Sequence, residues 1–199
     1  MNGEAASGGK PTGRQGRPAR SFQHSIFDTN IKRRNSREWA VQMLVALDFS
    51  PPENGMDEFF IDFWTLQRDL LLDSGERAQE AVVKFDSTSA LPFKAFAEEL
   101  VNGVRQNLDE IDRKIGGFLE NWSLSRVGEV DRNVLRMAFY ELFFKEDTPP
   151  AIIINEAVDI VKYFGARESG GFVNGILDNA ARHVSRPMNY QVDEPRRGH

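Results

Sequence analysis

Paired helix-breaking residues divide this chain into short segments. The breaks are Pro51-Pro52, Gly116-Gly117, Pro149-Pro150 and Gly170-Gly171. Proline lacks a backbone N–H and glycine has no side chain to restrict its backbone, so both interrupt helices. Between the breaks, apolar residues recur at helical spacing, and no segment shows the alternation typical of a half-buried strand. We therefore predict an all-α fold of about seven helices packed as a compact bundle.

The apolar spacing also places the helices along the chain. In the first helix, Asn35 is predicted to be the N-cap because Glu38 follows it at capping-box spacing. The mostly polar residues 73–89 are predicted to be either an additional short helix or a loop. The seven main helices are expected at residues 35–48, 57–71, 92–104, 107–115, 129–142, 151–164 and 172–183.

Length and composition indicate one globular domain with tails. A chain of 199 residues with 40% hydrophobic residues can bury one substantial core. Residues 1–30 are rich in glycine, serine, proline and basic residues, so we predict a disordered basic extension. Residues 31–188 are predicted to form the helical domain, and residues 189–199 a flexible tail.

Positive charge is concentrated just before the first helix. Residues 1–37 contain eight Lys or Arg against two acidic residues, a net charge of +6, whereas the whole chain carries −5 and the remainder −11. Lys32, Arg33, Arg34 and Arg37 place four cations within six residues. Cations and unpaired N–H groups at a helix start both bind phosphate. The pattern indicates an RNA or DNA contact, with a solvated basic tail as the alternative.

Several other classes of protein are excluded or disfavoured by the sequence. Cysteine is absent and the three histidines lack ligand-like spacing, so we expect no disulfide and no metal site. No cluster of acid, base and nucleophile suggests an enzyme, and no glycine-rich motif suggests a nucleotide cofactor. No apolar run is long enough to cross a membrane, and the first residues do not form a signal pattern. We expect a cytoplasmic protein without a cofactor.

Three blocks of sequence carry a resemblance to a known family. They are residues 36–44 (SREWAVQML), residues 131–142 (DRNVLRMAFYEL) and residues 154–178, which contain INEAV, KYFG and FVNGILD. In this order and at this spacing they resemble the NusB family of bacterial antitermination factors over roughly residues 32–187. A single block would be weak evidence, but the three together are specific.

The resemblance implies both a fold and a function. It implies two three-helix bundles and an arginine-rich start that binds the boxA sequence of nascent RNA. The binding takes place together with NusE, a ribosomal protein that also acts in transcription. The resulting complex would stabilise transcribing RNA polymerase against termination on ribosomal RNA operons, without catalysis.

The resemblance also implies further RNA-binding residues. Phe118 and Phe172 match family positions near RNA, although the family often has tyrosine at the first; by pattern alone, both are core residues. Lys162 and Arg167 flank the helix end at Gly165 and would extend the basic surface; Lys162 alternatively interacts with the helix C-terminus. The matching family position makes Glu168 a further candidate, and a surface pair with Arg167 is its alternative.

The protein partner would contact a second group of residues. Asp131 matches a family position at the NusE contact, and Glu38, Gln42 and Val45 lie near it on the first helix. Val45 stands where the family often has an aromatic residue, which suggests a weaker or rearranged interface.

Two alternatives to boxA recognition remain open at this point. One is a helical interaction domain that acts in ribosomal RNA maturation without specific boxA recognition. The other is a structural partner of a ribosomal protein whose RNA affinity is incidental. A helical interaction domain like the one that precedes the catalytic domain in some RNA cytosine methyltransferases shares this fold, but methyl transfer by this chain is disfavoured because it has no glycine-rich nucleotide-cofactor motif. A homodimer is also left open.

Overall fold

The structure, a computed structural model, describes residues 32–75, 77–119 and 123–184. These residues form eight α-helices, two short 3-10 helices and no strand, which confirms the all-α prediction. The predicted extension at residues 1–30 and tail at 189–199 lie outside the described residues. The helices are α1 (Arg33–Phe49), α2 (Met56–Leu72), α3 (Ala78–Phe85), α4 (Leu91–Gln106), α5 (Leu108–Gly116), α6 (Glu129–Phe144), α7 (Pro150–Phe164) and α8 (Ser169–Ala181). The 3-10 helices are Thr88–Ala90 and Leu124–Arg126.

Most helix boundaries lie at the predicted breaks. The exception is Gly170-Gly171, which lies inside α8, because that helix begins at Ser169 and not at Phe172. Glycine within a helix costs only about 1 kcal/mol, and packing on α6 and α7 offsets that cost.

The ambiguous segment 73–89 contains α3, whose Ala81, Val82 and Phe85 are buried. The start of α1 differs from the prediction, because Lys32 and not Asn35 occupies the N-cap position. Asn35 lies in the first turn, and its Oδ1 accepts a hydrogen bond from the Lys32 N–H at 2.9 Å. The helix therefore begins within the basic cluster.

Helix α6 is the centre of the fold. It packs against α1, α4, α5, α7 and α8, and six of its apolar residues are at most 1% exposed. The α4–α6 crossing is close because Gly103 has no side chain: a Cβ there would lie 2.0 Å from the Tyr140 ring. The six residues are Val134, Leu135, Met137, Ala138, Phe139 and Leu142.

The two halves of the molecule pack differently. Helices α6, α7 and α8 all contact one another and form a three-helix bundle. In the N-terminal half, α1 packs on α4, and α3 adds a fourth helix beside α2. Trp39 of α1 joins these pairs, because its ring meets Trp64 of α2 and Phe85 of α3 edge to face at 5.3 and 5.9 Å.

A charged network connects the end of α1 to α5 and α6. Asp48 accepts hydrogen bonds from Arg132 and Asn133, both at 2.9 Å, and from Arg136 at 3.1 Å. Arg136 also donates two 2.8 Å bonds to Asp112 of α5. Burial opposes ionisation of Asp48, but the bonds from Arg132 and Asn133 lower the pKa of its carboxyl overall. The network fixes the C-terminal half of α1 beside the start of α6.

Candidate nucleic-acid and partner interface

Lys32 and Arg33 are exposed at the start of α1. The Arg33 side chain is 55% exposed and its guanidinium lies 4.0 Å above the ring of Phe96. Its ion pair with Asp147 is long, at 3.9 Å, and such exposed pairs contribute little. The aromatic ring therefore orients Arg33 while its donors stay available to a phosphate or a base.

Arg34 is held between two acidic side chains. Its Nε lies 3.3 Å from Glu38 Oε1 and its Nη1 lies 3.2 Å from Asp159 Oδ2. Burial favours the neutral form, yet the hydrogen bond that Arg34 donates to Glu38 and the neighbouring carboxylates raise the pKa of Arg34. Since Asp159 belongs to α7, this pair joins the basic start of α1 to the helix that carries Lys162 one turn later.

Arg37 departs from the prediction that it contacts RNA. It is 3% exposed and donates two 2.7 Å hydrogen bonds to the carboxylate of Glu141, which is 0% exposed. Burial opposes the charge, but the bonds to Glu141 raise the pKa of Arg37. The buried pair leaves the Arg37 guanidinium no surface for a phosphate, so we assign it to the attachment of α1 to α6.

Four predicted RNA-binding residues lie together around the turn between α7 and α8. Arg167 and Glu168 are exposed in the turn, and Lys162 is exposed on the last turn of α7. The Lys162 side chain lies against Gly170, where a Cβ would be 3.0 Å from its Cγ. Phe172 is half-buried in the first turn of α8. This segment therefore presents two cations, one acid and an aromatic ring.

Phe118 lies away from that turn. It follows α5, is half-buried, and packs edge to face on Phe139 at 5.8 Å and on His183 at 5.4 Å. His183 comes just after the C-terminal end of α8, whereas Phe172 is in its first turn. The two rings therefore do not form a single stacking platform.

A cavity of about 370 Å³ opens beside the same turn and includes residues from both predicted surfaces. Asp131 of α6 lines it together with Glu168 and Phe172. The Ser169 hydroxyl donates a 2.5 Å hydrogen bond to Asp131 Oδ2 across the cavity wall. The predicted partner residue Asp131 therefore bonds directly to the segment that presents the predicted RNA residues. The other lining residues are Arg126, Val127, Gly128 and Ala166.

The predicted partner residues on α1 differ in accessibility. Glu38 is 7% exposed and bonded to Arg34, so it offers little surface. Gln42 and Val45 are half-buried, and Gln42 Oε1 accepts a 2.9 Å bond from Gln67 of α2. Val45 precedes Asp48, whose bond to Arg132 places this part of α1 beside the residue that follows Asp131. Val45 therefore lies nearer than Glu38 to the start of α6, where Asp131 is located.

We predict that Gly165→Ala will disturb this site. A Cβ at residue 165 would lie 2.6 Å from Asp131 Oδ1 and 2.7 Å from the Val161 carbonyl oxygen. Because the Val161 backbone cannot easily move away, we expect a loss of about 1–3 kcal/mol in the free energy of unfolding. Urea unfolding gives this free energy for the variant and the wild-type chain. Gly171→Ala is the matched control, since its Cβ would meet nothing within 4 Å in an exposed helical position. Equal stability of the two variants would contradict the expected clash.

Sequence reasoning missed the residues that hold the predicted ones in place. Glu141 occupies a core-facing position of α6, seven residues after the buried Val134. An acidic residue in an apolar helical stripe requires a cation nearby, and that signal was present. Ser169 and Asp159 gave no comparable signal, because each forms its contact across a helix pair that the local pattern does not specify.

The fold and the matching sequence blocks are shared with known proteins. The model of the NusB family matches residues 34–182. A protein described as transcription antitermination protein NusB from Syntrophotalea carbinolica is 41% identical over 159 residues, which cover 78% of this chain and 95% of that protein.

Solved structures agree with the sequence comparison. NusB of T. maritima has a TM-score of 0.57 and 34% identity, and the match covers 79% of this chain and 95% of that one. A second structure is described as antitermination factors NusB and NusE in complex with dsRNA. It matches with a TM-score of 0.52 and 24% identity over 76% of this chain and 97% of that one, which bears on the fold alone. None of the described helices combines the length and apolar character needed to cross a bilayer.

Proposed function

Because the chain belongs to the NusB family, we propose that it is an antitermination factor that binds boxA RNA of ribosomal RNA operons together with NusE. The family is noncatalytic, so the chain is not an enzyme. In this proposal the complex joins transcribing RNA polymerase in the cytoplasm and suppresses termination. The observation that supports the RNA assignment is the exposed cationic start of α1, which the pair of Arg34 with Asp159 connects to α7, the helix that carries Lys162.

The cations fall into two groups: exposed ones that would contact RNA, and Arg37, which is buried and stabilises the fold. Lys32 and Arg33 present their charge to solvent, and Arg34 is part-exposed. On the second segment, Lys162 and Arg167 supply charge and Phe172 supplies a ring on which an unpaired base can stack. The electrostatic part of the binding should therefore come from these five cations, with Arg37 acting only through the fold.

The partner surface is proposed at the junction of α1 and α6. Asp131, Gln42 and Val45 would contact NusE there, while the buried Glu38 supports Arg34. Exposed apolar side chains on α2, among them Ile61 and Leu66, leave a homodimer as a prediction.

The test is equilibrium binding to a boxA-like RNA and a scrambled RNA, with and without cognate NusE, across a salt series. We expect a preference for boxA that NusE strengthens and that weakens with salt. Replacing Lys32, Arg33 and Arg34 together by alanine should reduce the slope of log K against log salt by about 2, at about 0.7 per phosphate contact to a single strand.

A matched triple variant separates a specific contact from general loss of charge. Arg77, Arg105 and Arg113 are exposed cations elsewhere in the chain, and their replacement by alanine removes the same charge. That variant should retain most of the boxA affinity. Equal binding of the wild-type chain to both RNAs would reject specific boxA recognition and favour a protein-interaction bundle.

A further inference from the structure

One buried hydroxyl group joins the two surfaces of the proposed function. Ser169 is 3% exposed, and its Oγ donates to Asp131 Oδ2 at 2.5 Å. Asp131 belongs to the proposed partner surface. Glu168 directly precedes Ser169, and Phe172 follows it by about one helical turn, both on the proposed RNA surface.

We propose that Ser169 is a positioning residue that couples the binding of the protein partner to the binding of RNA through its hydrogen bond to Asp131. The inference rests on the proposed function, because it requires both ligands. Ser169 itself contacts neither ligand. It transmits the position of the Asp131 carboxylate to the first turn of α8.

The packing around the bond leaves little freedom for the two residues to move separately. Gly165 lies against both of them: a Cβ on it would be 2.6 Å from Asp131 Oδ1 and 3.0 Å from Ser169 Cβ. Lys162 lies against Gly170 in the same turn. A shift of the Asp131 side chain must therefore move the start of α8 or break the hydrogen bond.

The carboxylate of Asp131 is also incompletely bonded. Its Oδ2 accepts the Ser169 hydroxyl, whereas its buried Oδ1 has no hydrogen-bond partner among the described residues. A buried acceptor without a donor is unfavourable, so a shift of the Asp131 side chain that brings this oxygen to a donor of the protein partner would be favourable. Such a donor would fix the carboxylate and, through Ser169, the turn that carries Glu168 and Phe172.

This arrangement satisfies the thermodynamic requirement for coupling. A ligand shifts a conformational equilibrium only if it interacts differently with the two states. The partner would favour the state in which Asp131 is fixed, and RNA would then bind a turn that is already ordered. By linkage, RNA must strengthen partner binding by the same factor.

The experiment measures the coupling factor, defined as the RNA dissociation constant without cognate NusE divided by that with saturating NusE. The full-length wild-type chain, Ser169→Ala, Ser169→Thr and the control Ser74→Ala are compared with a boxA-like RNA. Ser74 also donates a side-chain hydrogen bond, at 2.6 Å to the Leu71 carbonyl oxygen, far from the site in sequence. We expect Ser169→Ala to lower the coupling factor roughly threefold or more, while Ser74→Ala leaves it unchanged.

The separate affinities distinguish coupling from a structural defect. For Ser169→Ala, binding of NusE alone and of RNA alone should each change less than the coupling factor does. Ser169→Thr, which keeps a hydroxyl, should restore the coupling. Hydrogen exchange gives a second readout: NusE should protect the amides of residues 168–172 in the wild-type chain and protect them less in Ser169→Ala.

Each remaining outcome has a defined meaning. An unchanged coupling factor in Ser169→Ala, or a loss of RNA affinity that is the same with and without NusE, would overturn the role of Ser169. Independent binding of NusE and RNA to the wild-type chain would overturn it as well, yet leave the proposed function intact. Failure of the wild-type chain to prefer boxA RNA would instead reject the proposed function.

Discussion

Arg37→Ala should lower the free energy of unfolding by about 3–5 kcal/mol, because it removes the cation that donates two hydrogen bonds to the buried carboxylate of Glu141. Glu141 is 0% exposed and accepts both 2.7 Å bonds from the Arg37 guanidinium. Domains of this kind are stable by only about 5–15 kcal/mol, so the variant would lose a large part of its stability. Urea unfolding followed by circular dichroism gives the value.

Two comparisons determine whether the buried charge is the cause. Arg33→Ala removes a cation from the same cluster, but its side chain is 55% exposed, so stability should change by about 0.5 kcal/mol or less. The double variant Arg37→Met with Glu141→Leu leaves no unpaired charge and should recover much of the loss. A stable Arg37→Ala protein that no longer binds RNA would show instead that Arg37 contacts RNA directly.

Trp39→Ala should also be strongly destabilising, by about 3–5 kcal/mol. The indole is 1% exposed and lies between Trp64 and Phe85, so its removal leaves a cavity where α1, α2 and α3 meet. Trp39→Phe keeps one ring in place and should cause a smaller loss. The measurement is again the free energy of unfolding in urea.

A surface residue on α2 provides the control for Trp39. Leu66 is 56% exposed, so Leu66→Ala should change stability by about 0.5 kcal/mol or less. If Trp39→Ala and Leu66→Ala proved equally mild, the aromatic cluster would not be what holds α2 and α3 to α1.

The helices were predictable from sequence because their signals are local. Pro51-Pro52 and Pro149-Pro150 end one segment and open the next, as the structure confirms at the boundaries of α1 and α7. Helix α3 was ambiguous because its buried face is short, consisting of little more than Ala81, Val82 and Phe85. The N-cap was misplaced because Asn35 lies in the first turn, where its side chain accepts a hydrogen bond from the backbone N–H of the true N-cap, Lys32. An asparagine side chain can fill either position, so the sequence did not distinguish them.

The site was predictable only in part, because burial depends on packing between distant helices. The cluster of cations at the start of α1 was evident from sequence, but exposure separates its members: Arg33 faces solvent and Arg37 faces the core. That difference depends on where α6 lies. Likewise, Phe118 and Phe172 have equivalent aromatic character, and only the structure places them near opposite ends of α8.

The pair between Arg37 and Glu141 spans 104 residues of sequence, which has a consequence for synthesis on the ribosome. A growing chain adds about 5–20 residues each second, so α1 is complete several seconds before Glu141 is made. During that interval the guanidinium has no buried carboxylate to meet, and the helix that carries the basic cluster lacks its final anchor. The nascent N-terminal half therefore cannot fix the start of α1 before α6 is made. The proposed nucleic-acid surface is complete only once most of the domain has left the ribosome.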